Sequence, residues 1–174
     1  MLRWILTIAG SAAGLIALVW LIGLSLPVGH VASRTVRLKQ PPEAVWQVLT
    51  DYAAQATWRS DVEKIDRLPD HDSHPVWRET LRDGMSFPLE TTEAQPPARL
   101  VRKIADPKLP FGGAWTYEIA PAEGGSILTI TENGEVYQPI FRVVSRFTNQ
   151  AASIEGFLTA LARKFGEEPV FTSR

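Results

Sequence analysis

Residues Trp4 to Leu26 carry no charged side chain, and a segment patterned like a folded domain begins a few residues later. A helix rises about 1.5 Å per residue, so this run covers roughly 35 Å. The hydrocarbon core of a bilayer is about 30 Å thick. Arg3 gives the run a positive entry, and the next charged residue is Arg34. Three arrangements accommodate such a run: a retained anchor, a cleaved secretory signal, or a helix buried in a soluble core. A secretory signal has an apolar core of about 7–15 residues and a small-x-small cleavage site. This core is longer, and Ser25–Ala32 offers no clean site of that kind. Pro27 and Gly29 stop the helix, and Trp4 lies near one end, where indole rings favour the interface.

The expectation is therefore a single-pass N-terminal transmembrane helix, with residues 1–30 as anchor, residues 31–174 as one domain, and the bilayer as a partner. Gly10 and Gly14 form a GxxxG pattern, extended by Ser11 and Ala12. Small residues let helix backbones approach closely in lipid, so a homodimer through Gly10 and Gly14 is one reading. Arg34, Arg37 and Lys39 follow the run while Arg3 precedes it. The positive-inside bias then leans weakly towards a cytoplasmic domain and leaves the side undetermined.

Composition removes several functions. The 19 acidic residues face 18 basic ones, so no basic stripe of the kind used on nucleic acid is present. There is no cysteine, which excludes disulfides, thiol catalysis and cysteine-ligated metals.

Beyond the anchor the period changes. Val31–Lys39 alternates as a half-buried strand, with Arg34 the exception on its apolar face. Pro41-Pro42 opens a helix whose stripe is Val45, Trp46, Val48 and Leu49, and a second short helix covers Tyr52 to Arg59. Six strands follow: Val62–Leu68, Val76–Arg82, Met85–Glu93, Arg99–Ala105, Ala114–Ala120 and Ser126–Val136. Closely spaced turn signals such as Asp83-Gly84 and Glu123-Gly124-Gly125 imply antiparallel hairpins. Val144, Phe147, Ala151, Ile154, Leu158, Leu161 and Phe165 then recur at helical spacing, predicting one long amphipathic helix ended by Gly166. The fold class expected is α+β, a curved antiparallel sheet of about seven strands wrapped on a long C-terminal helix.

The order of elements, the motif Pro42-Glu43-x-Val45-Trp46-x-x-Leu49-x-Asp51 with Trp58 after it, and the stretches Gly113–Tyr117 and Leu128–Glu132 resemble the START-like, or SRPBCC, superfamily. That group includes polyketide cyclase/dehydrase-like proteins and lipid transfer domains. The resemblance covers about Val31 to Gly166. It implies the helix-grip fold and a space between sheet and helix. It leaves activity open, because the superfamily holds carriers, sensors and a minority of enzymes.

Strand parity selects candidate pocket residues. Trp77, Glu79 and Leu81 share a face, as do Met85, Phe87, Leu89 and Thr91, then Leu100, Arg102 and Ile104, then Leu128, Ile130 and Glu132. Three ionisable groups, Glu79, Arg102 and Glu132, thus recur among inward apolar residues, where they must pair or meet a ligand. One reading is a polar end to an apolar pocket, with Trp77, Phe87, Leu89, Trp115 and Tyr117 contributing to its walls. The other is a structural ion pair within ordinary aromatic core packing. No reacting centre is defined by these residues, so no catalytic residue is assigned. Asp70-His71-Asp72-x-His74 has metal-ligand residue types, but reads as a solvated hairpin loop. No HExxH, GxSxG, P-loop or Rossmann fingerprint appears, and no metal or cofactor is expected. Pro107–Gly113 reads as a connector, a pocket lip or a loop resting on the bilayer. The function expected is a binding or carrier domain for a hydrophobic small molecule or lipid. The alternatives are a cyclase/dehydrase-type enzyme and a protein-interaction module.

Overall fold

The computed structural model describes residues 2–172, without the side chains of residues 2, 5, 6, 9 and 172. Helix α1 (Leu2–Ser25) leads into strand β1 (Gly29–Leu38), helix α2 (Pro42–Thr50) and a 3-10 turn (Ala53–Thr57). Strands β2 (Val62–His71), β3 (His74–Leu81), β4 (Ser86–Gln95), β5 (Arg99–Ile104), β6 (Phe111–Ala122) and β7 (Gly125–Val136) follow. Helices α3 (Pro139–Ser145) and α4 (Ala152–Lys164) and strand β8 (Val170–Thr172) complete the chain. The strands form one sheet in the order β2-β3-β4-β5-β6-β7-β1-β8, every pair antiparallel.

Alternation decides what the sheet buries. Val36, Leu38, Leu100, Ile119, Leu128 and Ile130 project from its inner face and are buried. Ile154, Leu158, Leu161 and Ala162, spaced as one face of α4, pack against them, and Val45 and Leu49 of α2 close the same cluster. Each such aliphatic side chain contributes about 1.5–3 kcal/mol when fully buried. Arg34, the exception to the β1 alternation, has its partner on α4: its Nε donates to Glu155 Oε1 at 2.7 Å. The exception is thus a strut between sheet and helix.

Two expectations need correction. The sheet has eight strands rather than about seven, because Val170–Thr172 pairs with Thr35–Arg37 at the edge. Three residues are too few for alternation to register. The apolar period over Val144–Phe165 is also shared by two helices instead of one. Arg146, Phe147 and Thr148 donate to carbonyls three residues back, tightening the end of α3, and the Asn149 side chain accepts from the Ala151 backbone N–H at 3.0 Å. Asn and Ser/Thr side chains offer the backbone this alternative to continued helix.

The two helices have different neighbours. While α4 lies on the sheet, α3 packs against α1 and the end of β7. Gly23 makes the approach of α1 possible, since a Cβ there would overlap the Pro139 carbonyl. Arg142 Nε and Nη2 donate to Val136 and Tyr137 carbonyls, both at 2.8 Å, fixing α3 to the sheet end. Gly23 of α1 is buried, and Val19 and, just past the helix end, Leu26 are half-buried. Trp4, Ile8, Leu15, Ile16 and Leu18 are exposed. Around Gly10 and Gly14 nothing stands within 4 Å of a built Cβ.

Among the described residues no helix is long and apolar enough to cross a membrane. The uninterrupted part of α1 with described side chains, residues 10–25, is 16 residues long. The expected membrane span is therefore not assigned by the structure.

Leu158 is fully buried where α4 meets the sheet. Leu158→Ala should lower unfolding stability by about 2–5 kcal/mol, and Leu158→Met by less than about 1.5 kcal/mol. Urea unfolding of the detergent-solubilised chain, followed by circular dichroism, measures both. Equal, small losses would show that α4 is not a core helix.

Candidate functional site

Strand register gathers the ionisable groups. On the inner face Glu79 is opposite Phe87, Thr91 opposite Arg102, and Arg102 opposite Trp115. From outside the sheet, the 3-10 turn delivers Arg59, whose backbone N–H bonds to the Gln55 carbonyl at 2.9 Å. Gln55 is itself buried and anchored by its Nε2 to the Leu49 carbonyl. The Glu79 carboxylate is shared: Oε1 accepts from Arg102 Nη1 at 2.7 Å and Oε2 from Arg59 Nη1 at 2.8 Å. Arg59 Nη2 bonds Asp61 Oδ2 at 2.8 Å. Two guanidiniums and two carboxylates thus balance.

Aromatic faces complete the enclosure. The Arg102 guanidinium lies 4.3 Å from the Tyr52 ring centroid, and that of Arg59 5.2 Å from the Phe157 ring. Desolvated cations over aromatic rings gain about 2 kcal/mol, which offsets part of the cost of the unpartnered Arg102 Nε and Nη2. Burial alone pushes the Glu79 carboxyl up. The adjacent Arg102 and Arg59 charges and their hydrogen bonds outweigh it and hold Glu79 below the usual carboxylate range. Arg59 is raised: burial disfavours its charge, but Glu79 and Asp61 more than compensate. Burial pushes the Tyr117 phenol up to about 12, so it presents a hydroxyl at neutral pH.

Next to this cluster lies a cavity of about 140 Å³ between sheet and α4. Arg59, Asp61 and Glu79 form its polar part, and Leu81, Phe87, Leu89, Trp115, Tyr117 and Ile130 its sheet wall. Ser153, Ile154 and Phe157 of α4 close it. Phe157 is held edge-on by Trp58 and Tyr117, at centroid distances of 5.7 and 5.8 Å. The register also locates the cavity. β1 starts at Gly29 beside α1, Gly29 pairs with Glu135, and Val136 pairs with Phe111. Phe87, Trp115 and Ile130 precede or follow the packed positions Leu100, Ile119 and Leu128 on the side of these strand ends. The open half of the inner face is thus the half towards α1.

Of the residues selected from sequence, Glu79, Phe87, Leu89, Trp115 and Tyr117 line this cavity. Three do not. Trp77 packs beside Tyr52, at 5.6 Å between centroids, and under Arg67. Arg102 sits behind Glu79 instead of reaching the void. Glu132 accepts from Trp115 Nε1 at 3.0 Å and Ser153 Oγ at 2.8 Å, so it positions two lining residues from outside. Arg59, Asp61 and Phe157 were missed. Trp58 marked the turn that carries Arg59, but nothing local indicates that the chain there folds back onto Glu79. The histidines of Asp70–His74 are not simply solvated: His71 and His74 both reach Glu90, at 3.1 and 2.8 Å. Among the described residues no group of three or more suitable side chains is arranged to hold a metal ion.

Removing the Glu79 charge would leave two buried cations facing each other. Glu79→Gln should therefore lower stability at pH 7 by about 3–5 kcal/mol. The wild-type contribution is complete above the ordinary value of 4.5 and is lost as pH falls from there through the lower folded-state value. Urea midpoints between pH 3 and 7 should fall on the acid side for the wild type and show a weakened acid dependence for Glu79→Gln. Parallel pH curves would show that the pair is not coupled to folding.

The geometry has counterparts among solved structures. A START superfamily protein from Mycobacterium smegmatis aligns with a TM-score of 0.62 at 16% identity, covering 78% of this chain and 96% of that one. Zhui aromatase/cyclase from Streptomyces sp. R1128 gives 0.60 at 14% identity, covering 78% and 93%. Norcoclaurine synthase from Thalictrum flavum, in complex with dopamine and hydroxybenzaldehyde, gives 0.63 at 11% identity, covering 83% and 90%. At these identities the likeness establishes the helix-grip-like fold. No curated protein sequence matches the chain. The family model described as polyketide cyclase / dehydrase and lipid transport matches residues 30–166, most of the chain, so this protein belongs to that family within the START-like superfamily.

Proposed function

We propose that this protein is a membrane-anchored binding domain that holds a hydrophobic small molecule of one or two rings. The observation that carries this reading is the apolar cavity of about 140 Å³ with Arg59 and Glu79 at one part of its wall. Its size selects the ligand. An apolar cavity of about 150 Å³ accommodates benzene, whereas sites for drug-sized molecules have about 300–1,000 Å³. A two-chain lipid does not fit the space as it stands. The single-ring molecules in the norcoclaurine synthase complex are of the size proposed.

Binding is favoured over catalysis because both carboxylates at the cavity, Glu79 and Asp61, are committed to arginines. A general base works best with a pKa near the operating pH. Both Glu79 oxygens are taken by arginines, and the carboxyl is held low. The second inward carboxylate, Glu132, is not on the cavity wall.

The anchor half of the proposal rests on α1. Its 24 residues reach about 36 Å as a helix, its only basic or acidic residue is Arg3, and its described large apolar side chains other than Val19 are exposed. The cavity lies in the half of the sheet towards α1, so a ligand partitioned into the bilayer would enter from nearby.

Titration of the full chain in lipid nanodiscs with 2-naphthol, followed by tryptophan fluorescence, tests the ligand class. Saturable binding is expected, weakened about tenfold or more by Leu89→Trp, which fills the cavity at an overpacking cost of about 1–3 kcal/mol. Naphthol uptake that follows lipid content alone and ignores Leu89→Trp would remove the reading. Extraction with alkaline carbonate tests the anchor: the chain should stay with the membrane pellet, and its release would show that α1 does not span.

A further inference from the structure

We propose that α3 and the residues just after it form a second bilayer contact, lying in the lipid interface beside the base of α1 and holding the domain against the membrane. This rests on the reading of α1 as a membrane helix.

The first observation is the surface itself. Phe141, Val144 and Phe147 are 57%, 51% and 86% exposed, with Ile140 and Tyr137 beside them. Scattered apolar residues are ordinary on a surface, but a contiguous group marks an interaction site. Among the described residues none covers Phe147.

The second observation is depth. α3 packs on the last turns of α1, where Val19 is half-buried and Gly23 is buried and meets Pro139. Val19 to Ser25 spans about 9 Å of helix rise. An element beside that stretch of a spanning helix is at the depth that interfacial helices occupy, about 5–10 Å into the headgroup and acyl boundary.

The third observation is charge. From Pro139 to Asn149 there is no acidic residue, and the two charged side chains are Arg142 and Arg146. Arg142 is engaged with backbone carbonyls. Exposed Arg146 borders an open polar hollow of about 410 Å³ that also includes Thr148, Asn149 and Gln150. A cation and amide or hydroxyl groups just above an apolar stripe match the phosphate layer of a bilayer. A protein partner would have no reason to require this alignment with α1.

The chain contains no cysteine, so a single introduced cysteine can carry a unique fluorescent label. The full chain is reconstituted in phosphatidylcholine vesicles with 30% phosphatidylglycerol, with nitrobenzoxadiazole at Leu15→Cys, Phe147→Cys or Glu123→Cys. Glu123 lies in the turn before β7, at the opposite end of the sheet from α1. Lipids with nitroxide on the acyl chain should strongly quench the labels at 15 and 147 and leave the label at 123 bright. In a Phe141→Ser, Phe147→Ser background, a label at Val144→Cys should lose its quenching. Quenching at 15 without quenching at 147 would overturn the proposal while leaving the anchor intact. Absence of quenching at 15 would overturn the anchor reading and this proposal with it. A blue-shifted label at 147 that lipid does not quench, and that responds to protein density, would show a second copy on the patch and overturn the lipid contact.

Discussion

The Glu79 carboxylate, accepting from Arg59 on one oxygen and Arg102 on the other, joins the chain after α2 to two strands of the sheet. Arg59 comes from just after the 3-10 turn, Glu79 from β3 and Arg102 from β5. A buried carboxylate between two buried guanidiniums is costly to form and much costlier to break, because any one group left alone would be an unpaired charge in a low-dielectric interior. Its specificity follows from that asymmetry. The turn after α2 must close over β3, and once it does, Arg59 faces the space beneath α4 and Phe157 packs over it. The polar part of the cavity is therefore a by-product of a structural clamp. That explains how a charged group can sit beside an apolar space with both of its oxygens already bonded.

The rest of the inner face divides along the strands. Away from α1, the positions Val36, Leu38, Leu100, Ile119 and Leu128 meet Val45, Leu49, Leu158 and Leu161 with little space left. Towards α1, larger rings at Phe87, Trp115 and Tyr117 border a void, with Tyr117 edge-on to Phe157 of α4. One face of one sheet thus serves as core and container. The packed half supplies the stability that lets the other half stay open. Arg34 with Glu155, and Glu132 with Ser153, hold α4 at the height this requires.

The break between α3 and α4 gives the two helices separate duties. A continuous helix would have carried Val144 and Phe147 along the α4 axis. With the turn around Asn149, α4 grips the sheet while α3 packs against α1 and the end of β7. Arg142, bonded to carbonyls at the end of β7, makes that junction rigid.

Much of this was legible in the sequence. Period-two alternation located all the long strands, and their parity placed Glu79, Arg102 and Glu132 on the buried face, because successive side chains in a strand point to opposite sides. The charge-free run and the apolar period of Ile154, Leu158 and Leu161 were equally local properties. What the sequence could not supply were distances between segments. Arg59 is 20 residues from Glu79 and reaches it only through the closing of the turn. Trp77, Arg102 and Glu132 share the inner face with the lining residues, yet stand behind or beside the void. Parity fixes a side of the sheet, and only the path of α4 across it decides which positions on that side are filled. The same holds for Val144 and Phe147: their spacing is helical, but the tertiary contacts of α3 with α1 decide that they face outward. The sequence by itself determined which residues must leave water. The tertiary structure decided which of them enclose a cavity, because enclosure depends on how far apart two packed elements stand.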